Sequence, residues 1–359
     1  MIKKEIAKVR DRLDAWLWRR ERLGVDVDGK STRIVRMAKS DTGAPSVAAY
    51  GDLDIDLIHS NEAERQRFKL AAKQLGEGLQ RIAMNVEHPS LRIRKMNFAK
   101  MPEQDLLEAI RWNFREHIEG PMEKYVVGYT PLEGDEVERI SIVAYGMTSE
   151  AIEEYTNVVK SVGYKPISLE PTATALLASM DVNGLLEDGQ RHVCVIFGYN
   201  TTLFSVMQRG SLLFCRPLPG VNNEALARLI MRNLNIDAQK AYQAIDAWMG
   251  KAAEGEPSSE ELMKKLDTTV GHFFSQMVIE MQRSIDAFCI MYSVEHVDAI
   301  HLCGMGVLYP GMVEHVGSTL GVQTSVFNPF ERVMDPAAQT EEVRRVAPLY
   351  AVAVGLAIP

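Results

Sequence analysis

Apolar and polar residues alternate with a period of two on both sides of Asp28-Gly29 in LGVDVDGKSTRIVRM, Leu23 to Met37. An Asp-Gly pair between two such runs predicts a β-hairpin. The period lengthens to helical spacing in Ser60 to Ile82, where Asn61 is the expected cap and Glu64, three residues on, completes a capping box. Ser90 to Phe98, Glu123 to Thr130 and Arg139 to Tyr145 read as strands, with a helix over Gln104 to His117. An amphipathic helix over Ser149 to Val162 stops at Gly163, and a strand, Lys165 to Leu169, leads into Glu170-Pro171-Thr172 and a helix through Met180. The second half opens on HVCVIFGYNTTLFSVMQRGSLLFCRPLPG, His192 to Gly220, a three-strand meander with turns at Gly-Tyr-Asn-Thr-Thr and Arg-Gly.

Helices are expected over Asn222 to Leu234 and Ala238 to Trp248, then a polar loop from Ala252 to Glu261. A long helix capped by Ser259 runs to about Tyr292 with Leu266, Val270, Phe273, Met277, Met281, Ile285 and Phe288 on one face, the pattern of a core-facing stripe. The chain closes with strand, glycine turn and helix in Ala299 to Gly321 and an apolar helix over Val343 to Ile358. Strands alternating with helices imply an α/β fold with helix-covered sheets.

The first 22 residues differ from the rest. Ile2, Ile6, Val9, Leu13, Trp16 and Leu17 recur at three- and four-residue spacing, and eight Lys or Arg against four Asp or Glu give the segment a net charge of +4. Such a basic amphipathic helix suits a membrane surface or a partner; it equally suits a terminal helix packed on its own domain. The remainder is acidic, for the whole chain carries −8, which argues against nucleic acid as a partner. The 359 residues suffice for two domains, and 46% hydrophobic with 25% charged is a soluble composition. No apolar run reaches the length of a membrane span, and the four cysteines lie in apolar runs without paired spacing. They read as buried thiols of a cytoplasmic protein. The eight histidines are scattered, so no metal site is expected, and no GxSxG, HExxH or Walker motif is present.

The two hairpins carry the candidate chemistry. Turn N–H groups from two facing hairpins can cradle phosphates, and carboxylates beside the turns can hold Mg²⁺ through water. The first hairpin supplies Asp26, Asp28 and Gly29. The second supplies Gly198, Asn200, Thr201 and Thr202 but no carboxylate, because Val195, Ile196 and Phe197 approach its turn.

Hairpin, strand-helix insertion, SLEPTATALLAS, second hairpin and IHLCGMGVLYPGMVEHV follow one another in an order that resembles the actin-like (ribonuclease H-like) ATPase fold. Within that fold the chain is most similar to the PilM family of type IV pilus assembly proteins, from about Leu23 to the C-terminus. GVDVDGKSTRIVRM, VAYGMTSEAIEEYTNVVKSVGYKPISLEPTATALL and the terminal LYAVAVGLAIP support this, together with the insertion LRIRKMNFAKMPEQDLLEAIRWNFREHIEGPMEKYVVGY. The resemblance implies two lobes: residues 23–89, 146–190 and 341–359 in the first, an inserted subdomain at 90–145, and residues 191–340 in the second, helical over about 221–284. Residues 1–22 stand outside them.

The family's nucleotide contacts would fall on Asp26, Gly198, Gly220 and Glu170, and its adenine-side glycines on Gly304 and Gly306. Asp28 stands at a family glycine, Ile196 at the metal-directing Asp, and Tyr242 and Ile245 where a Glu and a Lys would meet ribose and adenine. These departures imply a pseudo-ATPase with no cofactor expected, although the resemblance itself leaves ATP and Mg as the ligands to consider. The resemblance further implies a scaffold at the cytoplasmic face of the inner membrane, peripheral through residues 1–22. It would grip the cytoplasmic peptide of a PilN-like membrane protein between the first lobe and the insertion. Leu106, Ile110 and Phe114 of the insertion helix are the expected partner contacts, although the same spacing serves a helix packed on its own sheet. The alternatives are an ATP-binding switch or weak ATPase of the same assembly, or a small-molecule kinase with Glu170 as base.

Overall fold

The structure, a computed structural model, describes residues 21–40, 43–132, 138–249 and 260–358. The chain divides into two units. The first holds residues up to Leu185 with Pro329–Val343 and Tyr350–Pro359, and the second holds Leu186–Asn328 with Arg344–Leu349. The N-terminal helix expected over 1–22 lies outside the described residues except for its last two positions.

In the first unit β1 (Leu23–Asp28) and β2 (Ser31–Lys39) form the expected hairpin, extended by β3 (Pro45–Leu53). Gly29 has φ 56°, a conformation with no steric cost for glycine. Two parallel strands, β4 (Arg81–Val86) and β8 (Lys165–Pro171), complete a sheet of order β3-β2-β1-β4-β8. Helix α1 (Glu62–Gly76) starts at the expected capping box of Asn61 and Glu64. It stops before Ile82 because Glu77 and Gly78 turn left-handed, φ 46° and 92°, and release the chain into β4.

The insertion is a sheet of order β5-β7-β6, made of β5 (Arg92–Ala99), β6 (Tyr125–Pro131) and β7 (Arg139–Thr148), covered by α2 (Glu103–Phe114). Helices α3 (Ser149–Ser161) and α4 (Thr172–Val182) flank β8 in sequence, with Pro171 as the N-cap of α4.

The second unit repeats the plan. The meander β9 (His192–Phe197), β10 (Thr202–Gln208) and β11 (Ser211–Leu218) joins parallel β12 (Ala299–Gly304) and β13 (Thr324–Val326) in the order β11-β10-β9-β12-β13. Its helices are α5 (Asn223–Leu234), α6 (Ala238–Trp248), α7 (Glu260–Tyr292) and α8 (Met312–Leu320). The predicted stripe of α7, Leu266 to Phe288, is buried in this unit's core. Two of the four thiols, Cys194 and Cys303, are buried as expected, whereas Cys215 and Cys289 are only partly so.

Two expectations fail near the C-terminus. The lobe boundary expected between 340 and 341 falls elsewhere: Pro329–Val343 belong to the first unit, where the Val333 carbonyl accepts from Val47 N–H at 2.5 Å and Phe330 meets Tyr50 at a 5.1 Å ring separation, and Arg344–Leu349 belong to the second. The single helix over 343–358 is broken into α9 (Glu341–Val346), a 3₁₀ turn and α10 (Ala351–Ala357), because Pro348 lacks an N–H and restricts the residue before it.

Helix α10 is buried along its whole length. Glycine permits this: a Cβ at Gly355 would lie 1.8 Å from the Ala175 carbonyl oxygen, and one at Gly24 would lie 2.1 Å from that of Ala353. Gly355→Ala is therefore expected to cost about 1–3 kcal/mol by overpacking, read as a lower Tm.

Candidate functional site

Asp26 and Asp28 lie two apart on β1 and share one sheet face, and the hairpin register sets Arg33 of β2 opposite Asp26. The guanidinium lies between the two carboxylates, 3.3 Å from Asp26 and 3.6 Å from Asp28. Arg33 and Asp26 are only 3% and 2% exposed, so the triad is effectively removed from water. Burial pushes the Asp26 carboxyl up to about 7 against the attraction of Arg33, with repulsion from Asp28 adding to the rise. One proton on Asp26 leaves one positive and one negative charge in the buried site. The carboxylates expected to face Mg²⁺ thus already face a fixed cation from their own hairpin. Glu170 is engaged as well, accepting from the Ser168 hydroxyl at 2.7 Å.

In the second unit the turn of the meander is tied down by its own backbone. Gly198 N–H donates to Thr201 at 3.1 Å. The first N–H groups of α5, from Asn223 and Glu224, donate to the carbonyls of Gly198 and Tyr199 at 3.2 and 3.1 Å. These are the helix N-terminal donors that a phosphate would otherwise use. Asn200 and Gly220 are exposed, Thr201 is partly exposed, and Asn222 donates to the Asn200 carbonyl.

Gly304 and Gly306 close around Phe197, since a Cβ at either would lie 2.5 or 2.6 Å from that residue. Tyr242 stacks on Tyr199 with the hydroxyls hydrogen-bonded, Ile245 is buried, and the Tyr309 hydroxyl donates to Asn223. Phe197, Trp248 and Phe274 pack on the Tyr309 ring. Aromatic and aliphatic side chains thus fill this part of the second unit, including Tyr242 and Ile245, where the sequence resemblance leads to an expectation of charged contacts.

A polar chain, buried at its two histidines and exposed at both ends, crosses the same sheet. Asp188 meets His192 Nε2 at 2.9 Å, His192 Nδ1 meets His301 Nε2 at 3.0 Å, and His301 Nδ1 meets the Ser325 hydroxyl at 3.1 Å. The histidines are 109 residues apart and joined only by the parallel pairing of β9 with β12, so no sequence spacing reveals them. Burial, with repulsion from His192, pushes His301 down to about 4.

Between pH 4 and 6.5 the unfolded chain therefore binds more protons at this site, and His301 makes stability rise with pH. Asp26 acts oppositely: its folded value is raised, so its contribution is full below about 3.8 and is lost as pH rises toward 7. His301→Asn is expected to remove the rising limb and Asp26→Asn the falling one. Urea unfolding followed from pH 4 to 8 checks both signs.

The first unit also carries an apolar groove of about 420 Å³. Its walls are Val126 and Gly128 of β6, Tyr145 and Met147 of β7, Ile152 and Thr156 of α3, and Ile167, Ser168 and Leu169 of β8. Both β6 and β8 end their sheets, each pairing on one side only among the described residues. Val126 is 53% exposed, and Pro166 and Pro171, also in the wall, suit an edge strand. Burial raises the Tyr145 hydroxyl above its ordinary value, and Tyr145 bonds Thr130.

A family model for the type IV pilus assembly protein PilM matches residues 24–359. The chain belongs to the PilM family. Among solved structures it is similar to a chain of a "PilM-PilN type IV pilus biogenesis complex", with a TM-score of 0.80 at 21% identity over 94% of this chain and 97% of that one. It also resembles the ethanolamine utilization protein EutJ from Carboxydothermus hydrogenoformans, with a TM-score of 0.52 at 14% identity over 94% and 89%. No curated protein matches. The actin-like α/β fold expected from the order of motifs is thereby established.

For a PilM-family chain the expected partner contacts on α2 need correction. Leu106, Ile110 and Phe114 are 4%, 0% and 0% exposed and form the insertion's own core with Met96, Ile142 and Ala144. Phe114 sits where a Cβ on Gly146 would lie, 2.5 Å away. Helical spacing marks a buried face without saying what covers it. Ile110→Val should cost about 1 kcal/mol of stability, seen in a melt, and leave partner affinity unchanged. The groove residues escaped sequence reading because they come from four strands, a loop and a helix; the signal available was Pro166 and Pro171 bracketing an apolar strand.

Proposed function

We propose that this PilM-family protein is a non-catalytic scaffold of a type IV pilus assembly whose groove takes an extended apolar peptide from the cytoplasmic segment of a PilN-like membrane protein. The observation that carries the proposal is the groove itself, with two sheet-edge strands in its apolar wall. An extended peptide can satisfy an edge strand's free N–H and C=O groups while its alternate side chains fill the pocket. The likeness to a PilM–PilN complex supports the same reading. None of the described helices is long and apolar enough to cross a membrane, so attachment to the inner membrane would come through the partner and the basic residues 1–22. Calorimetric titration of the full chain with the synthetic cytoplasmic segment of its PilN-like protein tests the proposal; absence of binding refutes it.

Nucleotide is not needed for this function. The Arg33 guanidinium between Asp26 and Asp28 and the Tyr199, Tyr242 and Tyr309 cluster support that view, because Mg²⁺ would compete with an internal cation and the nucleoside with packed rings. Millimolar Mg-ATP is expected to leave Tm unchanged within a degree, whereas ligand at 100 times Kd would stabilise by about 2.7 kcal/mol. A clear upward shift would favour the ATP-binding switch.

A further inference from the structure

We propose that the chain's own first 20 residues occupy the apolar groove when no partner is bound, so that the N-terminus regulates access to it. The inference rests on the reading that the groove accepts an apolar peptide. Three observations support this occupant. The first is where the described chain begins. Arg22 is fixed by Nε donation to the Leu356 carbonyl at 2.9 Å and by a bond to the Ile358 carbonyl, and its guanidinium lies 3.9 Å from the Glu170 carboxylate. That carboxylate accepts from Ser168, a residue of the groove wall, at 2.7 Å. Arg22 is thus joined to the groove wall through Glu170.

The second observation is reach. Trp16 lies six positions before Arg22, about 9 Å as helix and about 20 Å when extended, so Leu13, Trp16 and Leu17 can enter a pocket flanked by Ser168 without displacing Arg22. The third is chemistry. Ile2, Ile6, Val9, Leu13, Trp16 and Leu17 form one apolar face, and the groove's wall of Val126, Met147, Ile152, Ile167 and Leu169 is apolar to match. Helical, this face fits a hydrophobic groove in the way amphipathic helices do. A face held in the groove is withheld from lipid and partner alike, so each would have to displace it.

Photo-crosslinking in the full chain tests this. Trp16 is replaced by p-benzoyl-phenylalanine, the protein is irradiated without partner or lipid, and crosslinked peptides are mapped by mass spectrometry. Intramolecular crosslinks to 126–128, 145–147 or 167–169 are expected; crosslinks confined to other surfaces, to second copies, or to none overturn the inference. A second measurement separates this from the reading on which it rests. The full-length Leu13→Glu, Trp16→Glu double variant is expected to bind the synthetic PilN-like segment at least tenfold more tightly than the parent. Equal affinity in both chains overturns the regulation while leaving the groove's function intact. No binding by either chain, with crosslinks still in the groove, refutes the partner reading and leaves the N-terminus as the groove's occupant.

Discussion

R33M is expected to destabilise the protein by about 3–5 kcal/mol, the cost of leaving buried charge without its partner. Methionine keeps the stem and volume of Arg33, so packing changes least and the loss reports the charge. Without the guanidinium, Asp26 and Asp28 repel each other in a site 2% and 9% exposed, and both carboxyls must hold protons to stay buried. The penalty should therefore grow with pH, being smaller at pH 5 than at pH 8. Denaturant unfolding at the two pH values checks this. If R33M were as stable as the parent, the triad would not hold the hairpin together. The same variant should not gain ATP hydrolysis, because the second hairpin carries no carboxylate at its turn.

Ile167→Glu is expected to weaken binding of the PilN-like segment about 100-fold, equivalent to about 3 kcal/mol for a carboxylate desolvated without a partner. Ile167 lines the groove on edge strand β8 and is only partly buried, so the free protein can keep the new carboxylate hydrated and its melt should shift little. Calorimetry of the variant beside its melting curve separates lost affinity from lost fold. An unchanged affinity would move the partner to another surface.

Much of the fold was legible because it is written in local patterns. The Asp28-Gly29 turn, the Asn61–Glu64 box and the stripe from Leu266 to Phe288 depend on neighbours within a few turns of chain. The site was legible only where a strand register carries it. Asp26 and Arg33 face each other because the hairpin is tight, yet charge counting gave no reason to pair them. His192 with His301 and the groove wall required contacts across more than 100 residues or several elements.

The amino-acid sequence by itself determined the α/β order of elements, the two hairpins, the basic amphipathic start and the likeness to the PilM family. Each of these rests on periodicity, turn residues or the order of motifs. Only the tertiary structure decided that α2 spends Leu106, Ile110 and Phe114 on its own core, that Arg33 sits between the carboxylates of the first hairpin, and that β6 and β8, each an edge strand among the described residues, border one apolar groove. The physical reason is that a hydrophobic face or a carboxylate states a need for burial or for a counter-charge. Which group meets that need is settled by whatever the folded chain brings within contact distance.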